Sequence, residues 1–277
     1  MNRIDGCLNN CLHADHRDIL VTATKAALKA GSVLQNLYGK THRIHHKGAI
    51  DLVTEADLAA EKAILKILHR EPHAADILAE ESSASCDLDF SRAVWIIDPL
   101  DGTTNFAHNF PWFGVSIAFF IHGKSLAGVI YCPLQDELFC AVQGAGAWLN
   151  NQPIHVSSVA TRQEALVATG FPYDVQTRPD EIMAALKAMI SEVQGIRRPG
   201  AAALDLAYLA CGRLDAFWEV DLKPWDTAAG QLLVEEAGGS ITNFHGGPFS
   251  PFVAELLASN SIIHLELVEI LKKFSSF

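Results

Sequence analysis

Positive charge is scarce in this 277-residue sequence, where 21 lysines and arginines stand against 32 aspartates and glutamates and the formal net charge is −11. Such an acidic balance works against non-specific binding to nucleic acid or to an anionic membrane surface. The sequence also has no apolar run long enough to cross a bilayer, and its first residues lack the apolar core of a secretory signal. We therefore expect a cytoplasmic protein with no membrane partner and no direct nucleic-acid partner.

Cysteine is equally sparse, since the six cysteines form no C-x-x-C pair and fall short of a disulfide scaffold. We expect free thiols. Cys7 and Cys11 together with His13 and His16 suggest a metal cluster, but a polar and poorly patterned terminus more often frays, and fraying is the prediction here. The 49% hydrophobic content excludes disorder, and the length suits one large domain or two closely packed halves.

Apolar residues at helical spacing predict a first helix over residues 15–38 and a second over residues 57–68, with Thr54 as its amino-terminal cap. The segment between these helices is predicted to be a basic loop. From residue 113 onward, apolar runs separated by turn residues predict an antiparallel meander. After a break near residue 152, strand-like and helix-like segments alternate. We therefore divide the chain into an α+β half, residues 1–152, and an α/β half, residues 153–277.

The segment WIIDPLDGTTNF, residues 95–106, is the most informative in the chain. Val94 to Ile97 are predicted to form a buried strand, with Pro99 preventing further regular pairing. Asp98 then lies at the end of the strand and Asp101 can turn back toward it, so that oxygen ligands suited to Mg²⁺ or Ca²⁺ converge. Residues 102–104 can open a helix whose amides bind an anion such as phosphate. The alternative is a simple turn or helix cap.

Three further carboxylates also lie at the boundaries of apolar segments. Glu80 follows a short apolar run, Asp226 opens a helix, and Asp57 stands with Thr54 at the entrance of the second helix. Each has an ordinary alternative, because Glu80 can be a solvated acid and the two aspartates can be helix caps. Metal sites for phosphoryl transfer are nevertheless assembled from carboxylates of this kind, each at the end of a strand or helix.

With these motifs, the sequence resembles the inositol monophosphatase family of Mg²⁺-dependent, lithium-sensitive phosphatases. Residues 95–106 match the first signature of the family, and KPWDTAAG, residues 223–230, matches the second. DLVTEAD (51–57), EES (80–82) and EEAGGS (235–240) match further stretches. The resemblance implies an α/β fold in α-β-α-β-α layers, of the inositol monophosphatase and fructose-1,6-bisphosphatase type, and a homodimer.

The resemblance also implies the roles of individual residues. Two or three Mg²⁺ ions per subunit would be held by Glu80, Asp98, the carbonyl of Leu100, Asp101 and Asp226. Asp57 and Thr103, with Glu80, would orient and deprotonate the attacking water. Backbone amides of Gly102 and Thr103 would hold the phosphate. Lys47, in the basic loop, would help recruit a third ion, although an ordinary solvated lysine is the alternative.

The substrate implied by the resemblance is a small phosphorylated polyol, with Asp101, Ala202 and Glu219 in contact with its hydroxyls. The sequence TNF at residues 104–106 favours inositol monophosphates. The alternatives are fructose 1,6-bisphosphate, histidinol phosphate and phosphoadenosine phosphate. Ala201 and Ala202 stand where many relatives carry serine or threonine, and Lys223 is at a variable position, so the sequence leaves the substrate open. A transcription-complex accessory with a phosphatase fold is a further alternative, with Arg197 and Arg198 either a docking point or plain surface.

Overall fold

The computed structural model describes residues 3–40, 44–46, 52–70, 75–82 and 89–274. The helices are α1 (Asp5–Asn10), α2 (Ala14–Leu37), α3 (Glu55–Leu68), α4 (Thr103–Ala107), α5 (Pro179–Ile190), α6 (Ala202–Ala210), α7 (Pro224–Glu236) and α8 (His264–Leu271). The strands are β1 (Ile44–His46), β2 (Leu52–Thr54), β3 (Asp76–Ala79), β4 (Val94–Asp101), β5 (Gly114–Ile121), β6 (Lys124–Cys132), β7 (Glu137–Val142), β8 (Ala147–Leu149), β9 (Gln152–Ile154), β10 (Leu166–Thr169), β11 (Gly195–Arg197), β12 (Ala216–Val220), β13 (Ser240–Thr242) and β14 (Glu255–Ser259). None of the helices in these ranges is long and apolar enough to cross a membrane.

The first half of the chain forms a seven-stranded sheet in the order β3-β4-β5-β6-β7-β8-β9. Only β3 and β4 pair in parallel, and the strands from β4 to β9 form the predicted antiparallel meander. Strand β4 is buried along its whole length, as expected for a strand covered on both faces. Helices α2 and α3 pack side by side on one face of this sheet and bury one hydrophobic cluster with it.

The second half forms a five-stranded sheet in the order β11-β10-β12-β14-β13. Helices α6 and α7 lie between the two sheets, where alanine and leucine side chains fill a second hydrophobic cluster. Helix α8 covers the outer face of the smaller sheet together with α5, over a third cluster. The layers therefore run helix, sheet, helix, sheet, helix, which confirms the predicted fold class. The division of the chain near residue 152 stays a prediction.

The predicted helices α2 and α3 are present, and Thr54 caps α3 as expected, its hydroxyl accepting a hydrogen bond from the amide of Ala56. Strand β4 is longer than predicted. Regular pairing stops after Asp98 and resumes at Asp101 across a register shift, so the strand bulges at Pro99 and then continues. This bulge brings both aspartates to the end of one strand.

The prediction of a frayed amino terminus is wrong. Residues 5–10 form helix α1, in which Cys7 is fully buried, and Ile4 and Cys11 are nearly so. These three side chains recur at spacings of three and four, which places them on one helical face. That face packs against β7, β8 and β9, and the apolar contact holds the segment in place. Cys7, Cys11, Cys132, Cys140 and Cys211 are free thiols.

Candidate active site

Three carboxylates of the first half lie at one end of the parallel pair β3 and β4. Asp98 and Asp101 end β4, and both are buried, with 2% and 8% of their surface exposed. Glu80 directly follows β3, and its amide donates a hydrogen bond of 3.2 Å to the carbonyl of Ile97. Because parallel strands end at the same edge of a sheet, the two strand ends bring Glu80 beside Asp98.

The turn after β4 is fixed by its own backbone. The amide of Leu100 donates to Oδ1 of Asp98 at 2.9 Å, which holds that carboxylate against the bulge. Gly102 has a φ of +88°, and a Cβ at this position would lie 2.9 Å from the carbonyl oxygen of Trp112. Both the left-handed backbone and the close approach therefore require glycine. Thr103 then begins the short helix α4.

A buried hydrogen-bonded pair joins helix α3 to this turn. The hydroxyl of Thr103 lies 2.8 Å from Oδ1 of Asp57 and 3.0 Å from the carbonyl oxygen of Leu100. The other carboxylate oxygen of Asp57, Oδ2, accepts from the amide and the hydroxyl of Thr54 at 2.8 and 2.6 Å. The capping interpretation of Asp57 is thus confirmed. The helix cap uses Oδ2 of the Asp57 carboxylate and leaves Oδ1 for the hydroxyl of Thr103.

The second half of the chain completes the site. Oδ2 of Asp101 accepts a hydrogen bond of 2.8 Å from the amide of Ala203 at the start of α6. Asp226 caps α7, where its Oδ2 accepts from the amide of Lys223 at 2.7 Å, so its capping interpretation is also confirmed. The side-chain amide of Asn105 donates to the carbonyls of Trp112 and Pro199 at 2.8 and 2.9 Å. These bonds tie the loop before α6 to helix α4.

Mutual repulsion and burial perturb these carboxyl groups strongly. Burial raises the pKa of Asp98 well above its usual range, and the carboxylates of Glu80, Asp101 and Asp226 add to the rise. Burial raises the pKa of Asp101 to about 7, although the hydrogen bond from Ala203 opposes the change. Four acidic groups therefore face one another closely enough to compete for charge. Without a cation, Asp98 and Asp101 retain protons that an exposed aspartate would lose.

This donor set has the chemistry that a divalent cation requires. Carboxylate oxygens and a backbone carbonyl are the ligands of Mg²⁺, and a cation would neutralise the repulsion that raises the pKa of Asp98. Within the described ranges, no three His, Cys, Asp or Glu side chains are already arranged to hold a metal ion. The residues fit such an ion by composition and by placement at the strand ends.

A cavity of about 220 Å³ opens beside these carboxylates. Asp101, Gly102, Thr103, Asp226, Ala202 and Glu219 are among the residues that line it. Burial raises the pKa of Glu219 to about 8, the carboxylate of Asp226 adds to the rise, and the charge of Arg198 opposes it. This opening thus brings together two of the predicted metal ligands, Asp101 and Asp226, with the predicted phosphate residues Gly102 and Thr103 and the predicted polyol residues Ala202 and Glu219. Lys47 lies outside the described residues.

Sequence reasoning missed three residues around this cavity. Asp205 is 1% exposed, and its Oδ1 has no hydrogen-bond partner within the described part of the chain. Its signal was a lone carboxylate in the otherwise apolar helix α6. Gly170 allows Glu219 to pack closely, since a Cβ there would lie 2.0 Å from both carboxylate oxygens of Glu219. Arg198, considered only as surface or a docking point, lines the cavity. No local pattern marks these last two positions.

Comparison with known protein families matches residues 15–275 to the inositol monophosphatase family. The chain belongs to this family, which is a class of phosphatases that use divalent metal ions. The resemblance inferred from the two signature segments is thereby confirmed.

Individual relatives agree with this assignment. The chain is 44% identical over 259 residues to an inositol-1-monophosphatase of Synechocystis sp., an alignment that covers 93% of this chain and 90% of the relative. It is 40% identical over 244 residues to the Nus factor SuhB of Salmonella typhimurium, covering 87% and 91% of the two chains. A crystal structure of the extragenic suppressor protein SuhB from Bartonella henselae superposes with a TM-score of 0.87 at 42% identity, covering 92% of this chain and 99% of the other.

Proposed function

We propose that this protein hydrolyses the phosphate ester of a small polyol, with inositol monophosphate as the leading substrate and inositol and phosphate as products. The observation that carries the proposal is the buried hydrogen bond of 2.8 Å between Thr103 and Asp57, beside the paired carboxylates Asp98 and Asp101. A hydroxyl held by a buried carboxylate next to metal-ligand oxygens is suited to activating water.

Glu80, Asp98, the carbonyl of Leu100, Asp101 and Asp226 would hold two or three Mg²⁺ ions. Divalent ions held there would lower the pKa of water and would neutralise charge on the phosphate and on the leaving oxygen. Asp98 is the best candidate for the central ligand, because three other carboxylates add to the rise of its pKa. The amides of Gly102 and Thr103, at the start of α4, would orient the phosphate.

The proton of the attacking water would move through Thr103 to Asp57. The nearer of the two acceptors of the Thr103 hydroxyl proton is Oδ1 of Asp57, at 2.8 Å against 3.0 Å for the carbonyl oxygen of Leu100, so a lone pair of Oγ1 can accept a proton from water. Oδ2 of Asp57 is already occupied by the two donors of Thr54, which fixes the carboxylate and leaves Oδ1 as the base. Burial raises the pKa of Asp57, which makes it a better proton acceptor than an exposed aspartate. Water attacks phosphorus directly, and no phosphorylated residue is required.

The polyol would lie in the cavity between Asp101, Ala202 and Glu219. Carboxylate oxygens accept hydrogen bonds from ring hydroxyls, and Ala202 leaves room for the ring. Asn105 supports this wall through its bonds to the carbonyls of Pro199 and Gly200. The same position belongs to the segment that favours inositol monophosphates over the other esters.

The test is phosphate release by the purified protein from inositol 1-phosphate, fructose 1,6-bisphosphate, histidinol phosphate and phosphoadenosine phosphate, each with Mg²⁺ and with EDTA. We expect Mg²⁺-dependent turnover, fastest with inositol 1-phosphate. Asp98→Asn should abolish turnover while the circular dichroism spectrum stays that of the wild type, because the substitution removes a ligand charge and keeps the side-chain shape. Rapid hydrolysis of another ester with none of inositol 1-phosphate would refute the substrate assignment, and an active Asp98→Asn variant would refute the role of that residue.

A second candidate is an accessory role in transcription, favoured by the similarity to proteins named Nus factor SuhB. It is compatible with the first, since a phosphatase fold can also present a docking surface. A deletion strain complemented by the inactive Asp98→Asn variant would favour this role over the enzymatic one. We further propose a cytoplasmic homodimer, which analytical ultracentrifugation of the purified protein would test for the oligomeric state.

A further inference from the structure

A second cavity, of about 440 Å³, adjoins the active-site cavity of about 220 Å³. The two cavities share four lining residues, which are Pro172, Tyr173, Asp221 and Lys223. The residues proposed to hold the phosphate, Gly102 and Thr103, line only the smaller cavity, whereas Asp174 and Arg178 line only the larger one. A leaving group too large for the first cavity would therefore have to extend into the second.

The shared lining comes from two loops that leave the smaller sheet side by side. One loop follows β10 and contains residues 170–174, and the other follows β12 and contains residues 221–223. Strands β10 and β12 are parallel neighbours, with Thr169 opposite Trp218, so both loops begin at the same edge of the sheet. The second loop also connects the strand of Glu219 to the helix of Asp226. The gap between these loops thus joins the two cavities.

Arg178 bridges the two loops. Its Nε and Nη2 donate to Oδ1 of Asp174 at 3.2 and 3.1 Å, and its Nη2 also donates to Oδ2 of Asp221. Helix α5 begins at the next residue and is anchored by Ile182 and Met189 in the third hydrophobic cluster. Only 19% of the Arg178 side chain is exposed, so salt and water screen its charge less than at an open surface. We call the side chains of Asp174, Arg178 and Asp221 the clasp.

The backbone of Asp221 has a conformation that most residues avoid. Its φ of +62° lies in the left-handed region, where aspartate and asparagine are tolerated better than other residues with a side chain. Its amide donates to the carbonyl oxygen of Ala254 at 2.7 Å, which fixes the turn. The turn and the ion pair with Arg178 therefore act together on the path of the loop between Glu219 and Asp226.

We propose that the clasp sets the gap between the two loops and thereby limits the size of the leaving group that the enzyme accepts. The inference rests on the proposed phosphatase function and adds a size limit to it, with inositol 1-phosphate inside the limit. An ion pair across a gap opposes its widening, because separating the charges costs free energy. Without the pair, the walls hold a six-membered ring less firmly and admit larger groups. The clasp residues are positioning residues with no part in the chemical step.

The experiment uses three esters with one phosphate each and polyols of increasing size: glycerol 2-phosphate, inositol 1-phosphate and trehalose 6-phosphate. The readout, measured with Mg²⁺, is the ratio of kcat/KM for the trehalose ester to kcat/KM for the inositol ester. Arg178→Gln and Asp221→Asn keep the side-chain length and remove one charge of the pair. We expect each to raise the ratio roughly fivefold, the size expected for a partly exposed ion pair. The kcat for glycerol 2-phosphate reports on the chemical step and should not fall.

Arg162→Gln is the matched control. Arg162 also donates to two carboxylates, those of Glu192 and Glu266, at 2.9 and 3.0 Å, and it lines neither cavity. Its substitution should leave the ratio unchanged. The double variant Arg178→Gln/Asp221→Asn should raise the ratio no further than the larger single effect, because both substitutions break the same bond. Asp221→Gly suits the positive φ and is the further variant if either single variant fails to fold.

A ratio equal to that of the wild type in both single variants would overturn the clasp, as would the same rise in Arg162→Gln. A parallel loss of kcat/KM for all three esters would show a merely structural role and would also overturn it. A trehalose ester that binds without turnover enters the comparison through its Ki against inositol 1-phosphate.

If the wild type hydrolyses none of the three esters, the phosphatase proposal itself fails. The Kd values of inositol 1-phosphate and trehalose 6-phosphate are then measured by calorimetry in Mg²⁺. A shift of relative affinity toward the trehalose ester in Asp221→Asn would still support the clasp, and an unchanged relative affinity would overturn it.

Discussion

Replacing Asp101 by asparagine separates the energetic cost of crowded carboxylates from the chemistry that they support. Asparagine has nearly the same shape, and its side-chain oxygen can keep the hydrogen bond from the amide of Ala203. The substitution removes the charge that burial penalises. We expect the metal-free variant to be more stable than the wild type at pH 8, although it loses Mg²⁺-dependent activity.

The magnitude follows from the pKa of Asp101, which burial raises from its usual 3.8 to about 7. A carboxyl with a raised pKa in the folded state binds more protons when folded, so its contribution to stability falls as the pH rises from about 4 to about 7. This shift corresponds to a loss of stability of ~4.3 kcal/mol at pH 8 and of ~1.7 kcal/mol at pH 5. The stabilisation by Asp101→Asn should thus grow by about 2.6 kcal/mol between pH 5 and pH 8.

The assay is urea denaturation of wild type and variant at pH 5 and pH 8, first in EDTA and then with excess Mg²⁺. Mg²⁺ should stabilise the wild type more strongly than the variant at pH 8, since a ligand that binds only the folded protein raises its stability. Asp18→Asn on the exposed face of α2 is the control for loss of one negative charge. A variant that is destabilised equally at both pH values would refute the reasoning, because the carboxylate would then be stabilising.

Two kinetic predictions concern the other side chains of the site. Thr103→Val removes the hydroxyl that bonds Asp57 and should lower kcat for steady-state phosphate release at least about 100-fold. The control is Thr161→Val, which breaks an exposed hydrogen bond between a threonine and a carboxylate and should leave kcat unchanged. A kcat of Thr103→Val within threefold of the wild type would contradict the proton relay. Gly170→Ala places a Cβ 2.0 Å from the Glu219 carboxylate oxygens and should displace that side chain. The KM for inositol 1-phosphate should rise roughly tenfold. The kcat and KM for phenyl phosphate, which has no polyol hydroxyls, should stay unchanged. An unchanged KM would argue against contact between Glu219 and the polyol.

Much of the site could be predicted because its residues obey local rules. Asp98 and Asp101 follow a buried strand, and Asp57 and Asp226 occupy helix-capping positions that side-chain chemistry specifies within a few residues. The meander and the two long amino-terminal helices were equally readable from periodicity. The frayed terminus was mispredicted, because the helical spacing of Ile4, Cys7 and Cys11 is a short pattern and helix α1 is held in place by contacts with β7 to β9.

The sequence by itself determined which chemistry is available: oxygen ligands at strand ends, a glycine turn and capped helices, in the order typical of one phosphatase family. Only the tertiary structure decided which of these groups meet. Thr103 and Asp57 are 46 residues apart and Asp101 and Ala203 are 102 apart, yet each pair is hydrogen-bonded. The first pair forms because α3 packs on the larger sheet, and the second forms because the two sheets pack around α6 and α7. No local propensity encodes either contact. The same packing turns Arg198 from a surface arginine into part of the cavity wall.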